Sequence, residues 1–293
     1  MPLNSRKAIL AWYQPRHRMY PWRSAKPDPY RVLVSEMMLH QTQAARVAPA
    51  FTRFLRRFPT VADLAAAQRS AVLRAWSGLG YNRRAVYLSE AARLIVREHG
   101  GRVPSAPETL RTLPGVGPYT SAAVASIGFG VPVAALDTNV ARVVARYRLG
   151  VEPGEAPRVN LEAAAADWLD RQDPGSWNQA LMDLGREVCK ATPRCDVCPL
   201  APRCGFRAAG HSRHPSPRRQ SPFPQSLRRV RGAVIRSLAS RPSASIEMLC
   251  REAEESPDRI AEAVRALARD GLVDASPGAM SGQLRGRVRL ARA

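Results

Sequence analysis

The sequence predicts a mainly α-helical protein that ends in a small winged-helix-like module. Three observations carry that reading. Apolar residues recur at helical spacing nearly everywhere up to residue 204, alternating strand patterns are nearly absent there, and residues 226–293 read as three short helices followed by two short strands. Between them, "GFRAAGHSRHPSPRRQSPFPQ" at 205–225 is rich in Pro, Ser and Arg and lacks any period, as a linker does. The expected organisation is therefore a helical domain over 1–204, a linker over 205–225 and a winged-helix-like domain over 226–293.

Each element has its own signal. "PDPYRVLVSEMMLHQTQAARVAPAFTRFLRRF" reads as one helical span with Asp28 as N-cap and Pro29 at the first helical position. "VADLAAAQRSAVLRAWSGLG" and "RRAVYLSEAARLIVREHGG" follow, the second stopped by Gly100 and Gly101. "LDTNVARVVARYRLG" offers Asp137 as a cap and places Val140, Val143, Val144 and Tyr147 on one face. "SWNQALMDLGREVC" lines up Trp177, Leu181, Leu184 and Val188. In the C-terminal module, "PDRIAEAVRALARDG" is the third helix, with Arg259, Arg265 and Arg269 beside an apolar stripe, and it is the expected groove reader.

"LPGVGPYT" at 113–120 sits between two helical segments, so the whole reads as helix, hairpin, helix. Gly115 and Gly117 allow backbone angles and close approaches that a Cβ forbids. With Val116 between them, their amides face outward at a helix N-terminus, which suits an anion such as a phosphate. An ordinary corner between helices is the alternative reading of these eight residues alone.

Composition points the same way. The 293 residues hold 45 Lys+Arg against 24 Asp+Glu, a net charge of +21. Codon bias explains why only three of the 45 are lysines, but not the shortage of acids, so a polyanionic partner is expected. No apolar run approaches the roughly 18 residues of a membrane span, and the N-terminus has no signal-peptide pattern. A soluble monomer of the bacterial cytoplasm, associated with the nucleoid and not with a membrane, is expected.

Cys189, Cys195, Cys198 and Cys204 are spaced C-x5-C-x2-C-x5-C. Four thiolates in one short loop surround a soft metal centre. The long arm between the two knuckles of a zinc ribbon is missing, so the loop suits a [4Fe–4S] cluster better than zinc. Cys250 lies outside the loop on an apolar helix face and is expected in the core.

Taken in order, "YPWR" at 20–23, "SEMMLHQTQ" at 35–43, "GLGY" at 78–81, "LPGVGPYT", "LDTNVARV", "NQALMDLG" and the cysteine loop resemble a known family. They are similar to the helix–hairpin–helix DNA glycosylases of the endonuclease III superfamily that carry an iron–sulfur cluster. Within it they match the MutY-type adenine DNA glycosylases best, over about residues 5–205.

The resemblance implies the fold, the cluster and a set of roles. Glu36, mid-helix among Val32, Leu33 and Leu39, is the expected general acid for the flipped adenine, with a pKa raised by burial. Asp137 is expected to stabilise the sugar cation or trap it covalently, with Asn139 in support. Read without the family it is equally a plain N-cap. Where lyase members carry a lysine, this chain has Tyr119, which supports positive charge but cannot form an imine. Hydrolysis without strand cleavage is therefore expected. Tyr81 is the expected wedge beside the opposite base, Gln41 the plug in the stack, and Trp22 and Arg23 the lining of the base pocket, with core packing an equal alternative for Trp22.

The expected partner is duplex DNA in which adenine opposes 8-oxoguanine or guanine, and the expected setting is base excision repair. The chain also departs from the pattern. His40 stands where the family has a glutamine, and the first cysteine gap is one residue shorter than usual. A winged-helix-like C-terminus replaces the usual Nudix-like β fold that reads 8-oxoguanine. A thymine or uracil glycosylase acting opposite guanine is the nearest alternative, and a non-catalytic iron–sulfur regulator a more distant one. His17, His99, His211 and His214 receive no role.

Overall fold

The computed structural model describes residues 2–16, 20–24, 26–210 and 223–292. His17, His211 and His214 lie outside them, as does the 211–222 part of the expected linker. The chain divides into two compact units. The first comprises Met1–Glu36, Val103–Thr112 and Val116–Arg218, and the second Met37–Arg102, Leu113–Gly115 and Arg219–Ala293.

Helix α1 spans Pro2–Tyr13 and α2 spans Pro29–Leu39. Asp28 caps α2 as expected, its Oδ1 accepting from the Tyr30 amide at 2.8 Å. The expected single helix from residue 28 onward is in fact two. It breaks at residues 40–43, where Gln41 adopts a left-handed φ of 53°, and resumes as α3 (Ala44–Arg57). The next expected helix also divides, into α4 (Val61–Ala66), capped by a reciprocal Thr60–Asp63 box, and α5 (Arg69–Trp76). Helix α6 (Arg83–His99) ends as the sequence indicates, on a left-handed Gly100.

A short α7 (Pro107–Leu110) leads through the hairpin to α8 (Pro118–Phe129). Its run from Thr120 to Ser126 is buried, so its small side chains let neighbouring backbone come close. Asp137 caps α9 (Thr138–Val144), which continues as a π-helical turn over Ala145–Leu149. Helices α10 (Arg158–Trp168) and α11 (Pro174–Glu187) follow. Within the first unit, Ile9, Val140, Val143, Val144, Leu161, Trp168, Trp177, Leu181 and Leu184 form one core, with Tyr147 stacked on Trp168 at 4.7 Å. The first residues of the stretch read as a linker are helical: α12 (Gly205–Ala208) buries Phe206 beneath the Arg146 guanidinium at 4.6 Å.

In the second unit Phe51, Phe54, Leu64, Leu73 and Trp76 are buried, with Phe54 edge-on to Trp76. Its C-terminal part runs α13 (Leu227–Ala239), β1 (Ala244–Ser245), α14 (Ile246–Ala253), α15 (Pro257–Arg269), β2 (Val273–Ala275), α16 (Pro277–Met280) and β3 (Arg287–Leu290). The strands form an antiparallel sheet ordered β1-β3-β2, so the expected hairpin gains a third strand. This is the element order of a winged helix, and Ile260, Ala261, Val264 and Leu267 of α15 supply its core. The module is held to α5 and α6 by arginines. Arg74 donates to the carbonyls of Ala239 and Arg241, Arg69 donates to Gly271, and Arg83 pairs with Asp270 at 3.6 Å. Cys250 is half-buried, not a core residue. No helix of the described residues is long and apolar enough to cross a membrane.

Candidate active site

Glu36 is 5% exposed on α2. The hydroxyl of Tyr119, the second residue of α8, lies 2.7 Å from its Oε2 and 3.6 Å from Met182 Sδ. Burial pushes the Glu36 carboxyl up to about 7; the Tyr119 hydrogen bond opposes that rise and the Asp137 charge adds to it. Burial, with Glu36 and Asp137 close by, holds the Tyr119 phenol well above its usual value, so it stays neutral. The three side chains predicted as separate sequence motifs therefore stand together in the first unit.

Asp137 is both a cap and a member of this cluster. Its Oδ1 accepts from the Val140 amide at 2.6 Å and its Oδ2 from Asn139 Nδ2 at 2.9 Å. Asn139 in turn accepts from Arg142 at 2.8 Å. Burial raises the Asp137 pKa, while the Val140 and Asn139 hydrogen bonds oppose that rise and favour the carboxylate. The cap fixes the backbone and the amide of Asn139 fixes the second oxygen.

The support for this arrangement comes from α11, and sequence reasoning missed it. Asn178 is fully buried; it accepts from the Ala135 amide and donates to Ser126 Oγ and the Val133 carbonyl, which pins the irregular segment leading to Asp137. A Cβ on Gly185 would lie 2.7 Å from Asn139, so a bare residue is needed for α9 to start where it does. Asp183 receives a bidentate pair from Arg23 at 2.9 and 3.0 Å. Asn178, Asp183 and Gly185 all fall in "NQALMDLG", and their i, i+5, i+7 offsets on one helix were the available signal. Trp22 is buried and stacked on Tyr20 at 4.7 Å.

Gln41 and Tyr81 belong to the second unit. Both are exposed and both have left-handed backbones, with φ of 53° and 47°, which costs a non-glycine residue about 1 kcal/mol or more. One buried side chain that the sequence reading did not single out, Arg84, holds both loops. It donates to the carbonyls of Met37, Met38 and His40 and to Thr42 Oγ1 on one side, and to Gly80 and Tyr81 on the other. Burial brings it down to about 10, still well above neutrality. Burial, with Arg84 nearby, lowers His40, so this departure from the family residue favours a neutral imidazole.

The hairpin glycines differ. Gly115 has φ 75° and a Cβ there would meet Tyr87 at 2.7 Å and Met37 at 2.9 Å. Gly117, the N-cap of α8, has an ordinary extended backbone and nothing within 4 Å, so no neighbour in this chain requires it to be bare. That corrects the expectation for Gly117: only Gly115 takes a backbone angle and a close approach that a Cβ would forbid. Val116 is buried between them.

The four loop cysteines are half-buried free thiols. Among the described residues no three of His, Cys, Asp or Glu are gathered closely enough to hold a single ion. Arg146 nevertheless donates to Cys189 Sγ at 3.7 Å and to the carbonyls of Lys190 and Ala191, and Cys204 Sγ lies 3.7 Å from the Arg146 carbonyl. Burial pushes the Cys198 thiol up to about 11, helped by Cys189, Cys204 and Cys195.

Comparison with known proteins decides the family. The model for HhH-GPD superfamily base excision DNA repair proteins matches residues 34–166. An adenine DNA glycosylase of Mycobacterium tuberculosis is 46% identical over 233 residues, covering 78% of this chain and 76% of the relative. The chain belongs to the adenine DNA glycosylases. The human member of that family is 42% identical over 213 residues, covering 69% of this chain and 39% of its own length. Among solved structures, a thermostable thymine-DNA glycosylase aligns with a TM-score of 0.65 at 30% identity, over 70% of this chain and 97% of its own. An endonuclease III trapped covalently on DNA shares the fold, with a TM-score of 0.59 at 23% identity, 70% of this chain and 95% of that one being covered.

Proposed function

We propose that this chain is a monofunctional adenine DNA glycosylase of base excision repair, releasing adenine mispaired with 8-oxoguanine or guanine in duplex DNA. The observation that carries the reading is the buried Glu36–Tyr119 pair beside Asp137, the N-cap of α9. Glu36 gives its proton to N7 of the extruded adenine while the bond to C1′ breaks, and the bonding electrons leave with the base. The Asp137 carboxylate stabilises the resulting cation at C1′ or bonds to it transiently. Water then adds at C1′ and its proton returns to the Glu36 carboxylate. Tyr119 lends a neutral oxygen and π face but no amine, so no imine forms and the strand stays intact.

Gln41 and Tyr81 fill and wedge the gap left by the extruded base, whose unstacking costs a few kcal/mol. Their fixed, exposed loops suit that role. The open amide end at Gly117 suits close approach of a phosphate, and Arg23 and Trp22 line the base pocket. Cys189, Cys195, Cys198 and Cys204 fit a [4Fe–4S] cluster: they are four free thiols in one short loop, with the Arg146 guanidinium beside Cys189 to favour its anionic form. Bound there, a cluster would supply a rigid, redox-capable cross-link. A monomer in the cytoplasm, beside the nucleoid, completes the reading.

A second reading stays open because one structural match is a thymine-DNA glycosylase. A panel of duplexes pairing A, T or U with G or 8-oxoguanine, scored for base release, separates the two. Adenine release should dominate; stronger release of thymine or uracil would overturn the assignment. Borohydride should trap no covalent adduct, and strands should break only after alkali.

A further inference from the structure

The electropositive character of the C-terminal module is not where a groove-reading third helix would place it. From Ile246 to Arg269, α14 and α15 with their connection carry four arginines (251, 259, 265, 269) against six acids (247, 252, 254, 255, 258, 262). Two of those arginines are occupied within the chain, Arg259 by Gln225 and Glu255 and Arg265 by the Met280 carbonyl. The segment from 271 to 292 carries four arginines (285, 287, 289, 292) and one acid, Asp274.

Two of those four line up on one strand. On β3, Val288 and Leu290 are buried while Arg287 and Arg289 are exposed, so these two arginines share the outer face of the strand. Arg285, in the turn just before β3, is also exposed. Because β3 is the central strand, the row runs along the middle of the sheet's outer face. Residues two apart on a strand stand roughly 6.6 Å apart, which lets successive guanidiniums meet different phosphates. The turn that leads into the row is stiff. Gly286 has no room for a side chain, since a Cβ would lie 2.3 Å from the Ala279 amide nitrogen, and Gln283 donates to the Gly278 carbonyl at 2.8 Å. Asp274 on β2 faces Arg289 and pairs with it at 3.2 Å, with both side chains about half exposed.

The geometry points to the outer face of this sheet, Arg287 and Arg289, with Arg285 in the turn that leads into it, as a contact surface for the DNA sugar–phosphate backbone, in place of α15. Charge complementarity selects the partner: exposed guanidiniums along one strand and the turn before it suit a regular polyanion. The module is also tied to the first turn of α6 by Arg83–Asp270, two residues beyond Tyr81, so a contact made here bears on the same unit that carries the wedge loop. The inference rests on the chain being a DNA glycosylase only for the choice of polyanion. Its test measures binding without base release, and so fails or succeeds independently of the chemistry.

The full chain is titrated against a short mismatch-free duplex by fluorescence anisotropy over a range of salt. The variant R287A/R289A is compared with R251A/R269A, which removes the same charge from the helices. Each lost phosphate contact should reduce the slope of log K against log salt by about 0.9, so the strand variant should flatten it by about 1.8 and weaken low-salt binding roughly tenfold or more. The helix variant should change affinity less than about twofold. R287K/R289K should restore most of the slope, and Asp274→Asn, which frees Arg289, should steepen it. An unchanged slope in R287A/R289A, equal losses in the two double variants, or a flatter slope in Asp274→Asn overturns the proposal. The lysine and asparagine variants keep it testable if the alanine variant misfolds.

Discussion

Two buried ionisable groups, one in each unit, are treated in opposite ways. Glu36 is enclosed by apolar α2 neighbours with the Tyr119 hydroxyl beside its carboxyl, and burial carries it to about 7. Arg84, in the second unit, is surrounded by carbonyl oxygens from the end of α2 and from the Gly80–Tyr81 turn, and it keeps its charge. The difference teaches what each group is for. A group that must release a proton is left short of partners, so its charged form is costly. A group that must hold two strained loops is given as many acceptors as its planar donors can reach.

The largest expected effect breaks the first half of that comparison. Glu36→Gln preserves shape and the contact with Tyr119 but removes the proton, and single-turnover adenine release should fall by roughly 10²–10⁴-fold with DNA affinity retained. Rapid turnover by this variant would remove Glu36 from its role. Arg84→Met tests the second half. It strands several buried carbonyls and should cost about 3 kcal/mol in urea unfolding, while Arg84→Lys recovers only part because an ammonium cannot reach both loops.

The same Glu36→Gln variant should be more stable than the parent near neutral pH. The folded-state pKa of Glu36 is raised from 4.5 to about 7. Its favourable contribution is therefore present below pH 4.5 and is lost as pH rises through 7, because the folded state binds the proton more tightly. At about 1.4 kcal/mol per unit this corresponds to roughly 3 kcal/mol, and melting temperatures across that window should converge at acid pH. Equal stabilities at pH 8 would contradict burial as the cause. The smallest effect belongs to Tyr119→Phe. Its hydrogen bond lowers the Glu36 pKa, so its loss should move the alkaline limb of the rate profile to higher pH, with only a modest change in the plateau.

These residues were not equally legible in the sequence. Asp28, Gly100 and Asp137 could be read because caps and stops are local chemistry. Glu36 could be read from its apolar helical neighbours, but its hydrogen bond with Tyr119 could not, since 83 residues separate them. The break at residues 40–43 was illegible. No glycine or proline marks it, and the left-handed turn at Gln41 is imposed by Arg84 gathering the carbonyls of Met37, Met38 and His40. Strand β1 is two residues long and exists through its pairing with β3, which no local pattern encodes. The third-helix arginines misled for a related reason: their count was visible, but their engagement with Gln225 and Met280 was not.

The most direct test of the account is the pH dependence of single-turnover adenine release by the intact chain. If Glu36 acts as a buried acid, the rate holds on the acid side until Asp137 takes up a proton, then falls about tenfold per pH unit above about 7. A rate that stays level or rises through pH 7 would contradict it.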